Sequence, residues 1–113
     1  MTTQYTSSLP WITRGTTPTI TFTTPFNANM VVAGFITFTL RGKIIFDVNI
    51  NNEAVTVEDE AIKLKLTQEQ TLMFDENDAN KVQIRLLLTT DDAVASNEVE
   101  IPIGGILREG EIQ

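Results

Sequence analysis

From Thr19 onward the chain alternates apolar and polar side chains in short runs separated by turn residues. Thr19-Ile20-Thr21-Phe22-Thr23 puts Ile20 and Phe22 on one face and three threonines on the other, the pattern of a half-buried strand. Val31 to Leu40 repeats it, with Ile36, Phe38 and Leu40 opposite Phe35, Thr37 and Thr39. Arg41-Gly42 then predicts a tight turn into Lys43 to Ile50, where Ile44, Phe46, Val48 and Ile50 alternate with Ile45, Asp47 and Asn49. Asn51-Asn52-Glu53 turns the chain into a short strand over Ala54 to Val57, and Glu58-Asp59-Glu60 turns it again before Ile62, Leu64 and Leu66. Lys81 to Thr89 aligns Val82, Ile84, Leu86 and Leu88; Leu87 interrupts the polar side, which predicts a central strand or one covered on both faces. Ala93 to Asn97 reads as a link. Val99, Ile101 and Ile103 define a last strand, which Pro102 assigns to an edge or a bulge. Ile106 to Ile112 reads as a final short extension.

One segment breaks the period. Thr67 followed by Gln70 three residues later fits a capping box, with Leu72, Met73 and Phe74 supplying the apolar contacts of a single helical turn or two. A helix that short holds only when packed across the end of a sheet. Strands about every ten residues, joined by short turns, together predict an all-β fold. The architecture expected is an immunoglobulin-like antiparallel β-sandwich with one short crossover helix near residues 67–74.

Met1 to Ser8 are polar and aperiodic and Leu9-Pro10-Trp11-Ile12 opens the ordered part, so residues 1–10 read as a flexible arm and 11–113 as a single β-sandwich domain. A chain of 113 residues has room for one continuous core. It contains no cysteine, which excludes disulfides and thiolate metal sites. It has no apolar run long enough to cross a bilayer as a helix, and its first residues lack the basic and then apolar regions of a secretory signal.

Net charge is −7, unfavourable for nucleic acid or an anionic membrane, and neither is expected as a partner. Its distribution is uneven: up to Leu40 the only charged side chain is Arg14, and every Asp and Glu lies from Asp47 onward. The uncharged threonine-rich end is a candidate docking face, because interface cores are depleted of charge, although threonine is also an ordinary strand residue. Its interface candidates are Tyr5, Trp11, Arg14, Thr21 and Thr23. Trp11 has a competing reading as a cover for one open end of the sandwich.

Little catalytic chemistry is available. With no histidine and no cysteine, the common general base and the Ser-His, Cys-His and zinc constellations are absent. The serines, Ser7, Ser8 and Ser96, sit in no nucleophile elbow. Carboxylate pairs such as Glu58 with Glu60 or Asp91 with Asp92 fall on turns, where solvation is the expected state. No enzyme activity and no cofactor are expected. A weak cation loop is offered by Asp75, Asn77 and Asp78, whose oxygens lie close together, but it lacks the sixth-position glycine and distant glutamate of an EF-hand loop.

Several runs carry a family likeness. These are Ile12-Thr13-Arg14-Gly15-Thr16-Thr17-Pro18-Thr19-Ile20-Thr21-Phe22, Ile36-Thr37-Phe38 leading into Gly42-Lys43, and Leu66 to Phe74. Lys81-Val82-Gln83-Ile84-Arg85, Ala95 to Val99 and Gly105 to Gly110 continue it. The chain after residue 10 resembles small structural proteins of tailed phages and prophages, which often open with Arg-Gly-(Asp/Thr)-Thr-Pro. It is also similar in style to the N-terminal domain of phage baseplate upper proteins. Thr16 stands where many such proteins carry Asp, which removes a turn-capping carboxylate. The resemblance implies a non-enzymatic virion protein, tail or baseplate associated, made in the bacterial host cytoplasm. It would act by protein–protein docking with other virion proteins and, as an open alternative, with further copies of itself. It transfers no catalytic or ligand residue. A capsid decoration protein and an immunoglobulin-like adhesion module for a host glycan or protein remain alternatives. A weak hydrolase is the enzymatic one, to be revived by carboxylates converging in a cleft. The docking expected is through the low-charge N-terminal strands and arm, with the acidic half keeping the protein soluble.

Overall fold

The computed structural model describes residues 2–5 and 11–113, with side chains from residue 11 onward. Strands β1 (Thr2–Tyr5), β4 (Val31–Leu40), β5 (Lys43–Asn49), β8 (Asn80–Leu88), β9 (Ala93–Ser96) and β10 (Val99–Glu100) form a large sheet ordered β1-β9-β8-β4-β5, with β10 continuing beside β8. Strands β3 (Thr19–Thr23), β7 (Ala61–Lys65) and β6 (Val55–Glu58) form a small antiparallel sheet in that order. A parallel ribbon of β2 (Ile12–Thr13) and β11 (Ile103–Gly104) completes the strands.

Taken as consecutive strands B, C, C′, D, E, F and G, β3 to β9 place B-E-D in one sheet and G-F-C-C′ in the other. That is the strand order of an immunoglobulin-like sandwich. The fold is therefore the all-β sandwich that the alternation predicts. Its core joins Ile20, Phe22, Ile62 and Leu64 of the small sheet to Ile36, Phe38, Val82, Ile84, Leu86 and Leu88 of the large one. Phe38 stacks on Phe46 with ring centroids 4.4 Å apart, and Phe74 tilts against both.

The short helix α1 (Gln68–Leu72) carries the crossing from small to large sheet. Its N-terminus is the predicted capping box: Gln70 N–H donates to Thr67 Oγ1 (3.1 Å), and Thr67 N–H donates to Gln70 Oε1 (2.9 Å). Buried Thr71 ties the helix to the β2–β3 turn by donating to the Thr16 carbonyl at 2.8 Å.

Several local expectations are corrected. Residues 2–5 of the expected flexible arm are strand β1, paired in parallel with β9; residue 1 and residues 6–10 lie outside the described residues. An edge strand held by main-chain bonds needs no apolar alternation, so its sequence carries no signal. Ala93 to Asn97, read as a link, supplies β9, whose small side chains gave too weak a period. The single last strand is two short ones. β10 pairs with β8, then Pro102 interrupts, its carbonyl accepting from Ile12 N–H at 2.9 Å, and β11 pairs with β2. Past Gly104 the chain is not strand, and Ile106 to Ile112 forms bends and coil.

In β5 the register shifts by one residue: Phe38 faces Phe46 but Thr39 faces Ile44, leaving Ile45 extra. Such a bulge reverses which face follows it, so Ile44 is two-thirds exposed instead of joining Phe46 and Val48.

Candidate interaction face of the large sheet

The five residues singled out from sequence do not form one site. Tyr5 ends β1, in register with Ser96. Thr21 and Thr23 face outward on the small sheet, exposed. Trp11 is 66% exposed and lies across Gly104, where an added Cβ would sit 2.5 Å from the indole nitrogen. It covers a glycine of the ribbon while presenting its other side to solvent.

Arg14 is turned inward. Its Nε donates to the Phe74 carbonyl (2.8 Å), one Nη to the Leu72 carbonyl (2.9 Å), and the other to both carboxylate oxygens of Glu109 (2.8 Å each). The Leu72 and Phe74 carbonyls belong to the end of α1, where backbone acceptors lack helical partners, so Arg14 caps the helix and straps residues near Glu109 to it. Gln68 holds the same tail further on, accepting from Ile112 N–H at 2.7 Å and donating to its carbonyl at 3.2 Å.

The loop with Asp75, Asn77 and Asp78 is organised around a buried asparagine. Asn80, 1% exposed, accepts from Asp75 N–H at 3.0 Å and donates to the carbonyls of Asp75 and Asp78. The Asp75 carboxylate accepts from Asn77 N–H at 2.9 Å, and the Asp78 carboxylate pairs with Arg41 at 3.0 Å. Among the described residues no three acidic, histidine or cysteine side chains gather as a metal would require. A hollow of about 620 Å³ opens where β5 and β6 do not pair, lined by Glu53, Lys65 and Glu111 together with apolar Val48, Leu64 and Leu66.

The strongest surface feature is elsewhere, on the outward face of β4, β8 and β9. Register aligns Ala33 with Leu87 and Ala93, and next to them Phe35 with Arg85 and Ala95. Phe35 is 50% exposed and Leu87 39%, while Val32, the extra residue of a second register shift, adds another half-exposed side chain. Between them lies a shallow hollow of about 260 Å³ lined by Ala33, Phe35, Leu87 and Ala93, with Arg85 at its side. Gly34, buried on the opposite face of β4, lies beneath this hollow: its added Cβ would stand 2.5 Å from the Arg85 carbonyl oxygen, so only glycine lets β4 approach β8 this closely.

Arg85, like Lys43, Lys65, Lys81 and Arg108, makes no ion pair among the described residues, whereas Arg14, Arg41 and Lys63 do. An aromatic, an aliphatic and an uncommitted arginine on central strands have the composition of an interface core. Composition alone did not single out these residues. Two signals pointed to them: Leu87 breaking the polar side of its run, and Phe35 opposite the core face of its own.

Compared with known proteins, the sequence matches no family model, and no curated protein is significantly similar to it.

Proposed function

We propose that this chain is a non-enzymatic structural component of a tailed-phage virion, tail or baseplate associated, which docks onto neighbouring virion proteins through the outward face of β4, β8 and β9. The observation that carries docking is the Phe35–Leu87–Arg85 patch. A solvated sheet face alternates to polar side chains, and on the two central strands Phe35 and Leu87 break that alternation side by side. The setting rests on the likeness of the Arg14-Gly15-Thr16-Thr17-Pro18 opening and the runs that follow it to phage structural proteins. Docking thus moves from the threonine face and arm to the large sheet, although Ala33 and Phe35 still belong to the low-charge N-terminal part of the chain.

The test is incorporation into particles. Phe35→Asp and Leu87→Lys replace exposed side chains, so both proteins should fold with an unchanged melting temperature yet be missing from purified virions by mass spectrometry. Incorporation of both variants at the level of the parent chain would sink the docking face. Absence of the parent chain from virions would sink the setting.

A further inference from the structure

We infer that the chain pairs with a second copy of itself through β3, in an antiparallel two-fold dimer that joins the two small sheets into one. This rests on the edge of β3 and is independent of the large-sheet face. β3 is the terminal strand of the order β3-β7-β6, because β1 and β2 pair instead with β9 and β11. The phase of its main-chain groups is fixed at both ends. Leu66 N–H donates to the Pro18 carbonyl at 2.9 Å, and Thr24 N–H to the Glu60 carbonyl at 2.8 Å. With Ile20 opposite Leu64 and Phe22 opposite Ile62, the even-numbered residues bond to β7. The N–H and C=O groups of Thr19, Thr21 and Thr23 therefore point away from the sheet, and have no main-chain partner among the described residues.

Soluble proteins guard such edges with charge, bulges or cover. The edge strand β5 has the bulge at Ile45 and carries Lys43 and Asp47; β6 is four residues long, ends in Glu58 and lies against the 3-10 turn Ala28–Met30. β3 has neither charge nor bulge. The unguarded edge is also self-complementary. A two-fold axis at Thr21 sets Thr21 against Thr21 of the second copy and Thr19 against Thr23, so that each facing pair exchanges two N–H···O bonds.

The outward side chains meet as threonine against threonine, a favourable cross-strand pair. Ile20 and Phe22 are already buried in their own copy, so main-chain bonds carry the association. Lys63 and Lys65 lie one strand back on β7. Three strand spacings of about 4.8 Å separate them from their counterparts, beyond a screening length of about 8 Å at physiological salt. These lysines thus offer little opposition at the joint.

The absence of native cysteine allows a register test. Facing residues of such a pair lie with Cα atoms about 5.5 Å apart, within disulfide range. Thr21→Cys should oxidise to a covalent dimer, whereas Thr19→Cys, about 13 Å from its own counterpart at roughly 3.3 Å per residue, should not. In sedimentation the parent chain should show a concentration-dependent dimer. Thr21→Pro removes an N–H that β7 does not use and should be monomeric with its fold retained. Thr21→Lys, which sets like charges face to face without touching the backbone, should be monomeric as well. A parent chain that stays monomeric at millimolar concentration overturns the inference. So does equal cross-linking at positions 19 and 21, or a dimer that survives both Thr21 variants but is lost in Leu87→Lys.

Discussion

The two sheets turn different surfaces outward from the same core. On the small sheet the outward rows read Thr19, Thr21 and Thr23 beside Lys65, Lys63 and Ala61, with Lys63 paired to Glu58 at 2.7 Å. On the large sheet the corresponding positions hold Ala33 and Phe35 beside Leu87 and Arg85, and the arginine has no acid partner among the described residues. Water satisfies the first surface. The second leaves apolar area and a free guanidinium, which a protein partner would satisfy better. The difference teaches that alternation reports which side faces the core and is silent on whether the other side meets solvent or protein.

The comparison is broken or sharpened most by a pair of substitutions on one strand. Phe38→Ala removes a ring stacked in the core and should cost about 3–5 kcal/mol, while Phe35→Ala, on the opposite face of β4, should stay within about 0.5 kcal/mol. Urea unfolding measures both. Equal costs would mean that Phe35 is a structural residue and the patch is no docking face.

A smaller effect is expected at the end of the large sheet. Asn80→Ala strands the Asp75 N–H and two carbonyls, and should cost about 2–3 kcal/mol. Added calcium should not restore it. Recovery of the melting temperature with calcium would return the Asp75–Asp78 loop to cation binding. The smallest effect is at Gly34→Ala, where the new methyl meets the Arg85 backbone and should cost about 1–2 kcal/mol. It should also weaken incorporation into particles by widening the gap beneath the patch. A Gly34→Ala protein as stable and as well incorporated as the parent would show that the close approach shapes nothing.

Much of the fold was legible because its signals are local. The β4–β5 hairpin follows from alternation on both sides of Arg41-Gly42, and α1 from one capping pair, Thr67 and Gln70. Three features were not legible for a shared reason. β1, β9 and the β10–β11 break are defined by main-chain pairing with distant segments, and Thr2–Tyr5 beside Ala93–Ser96 has no side-chain period of its own. The bulge at Ile45 likewise shows only as register against β4. Arg14 stood out as the lone charge before Leu40, but its attachment to Leu72, Phe74 and Glu109 spans separations that no spacing rule reaches.

By itself the sequence determined the class of fold, the inward faces of β3, β4, β7 and β8, the helix cap, and the absence of histidine and cysteine chemistry. Each depends on residue type or on neighbours a few positions apart. Only the tertiary structure decided which outward faces gather into a patch, that among the described residues Arg85 has no ion pair while Arg14 is enclosed, and that no described strand covers the outer edge of β3. Those outcomes depend on which strands lie side by side, and strand order is set by the packing of the whole core.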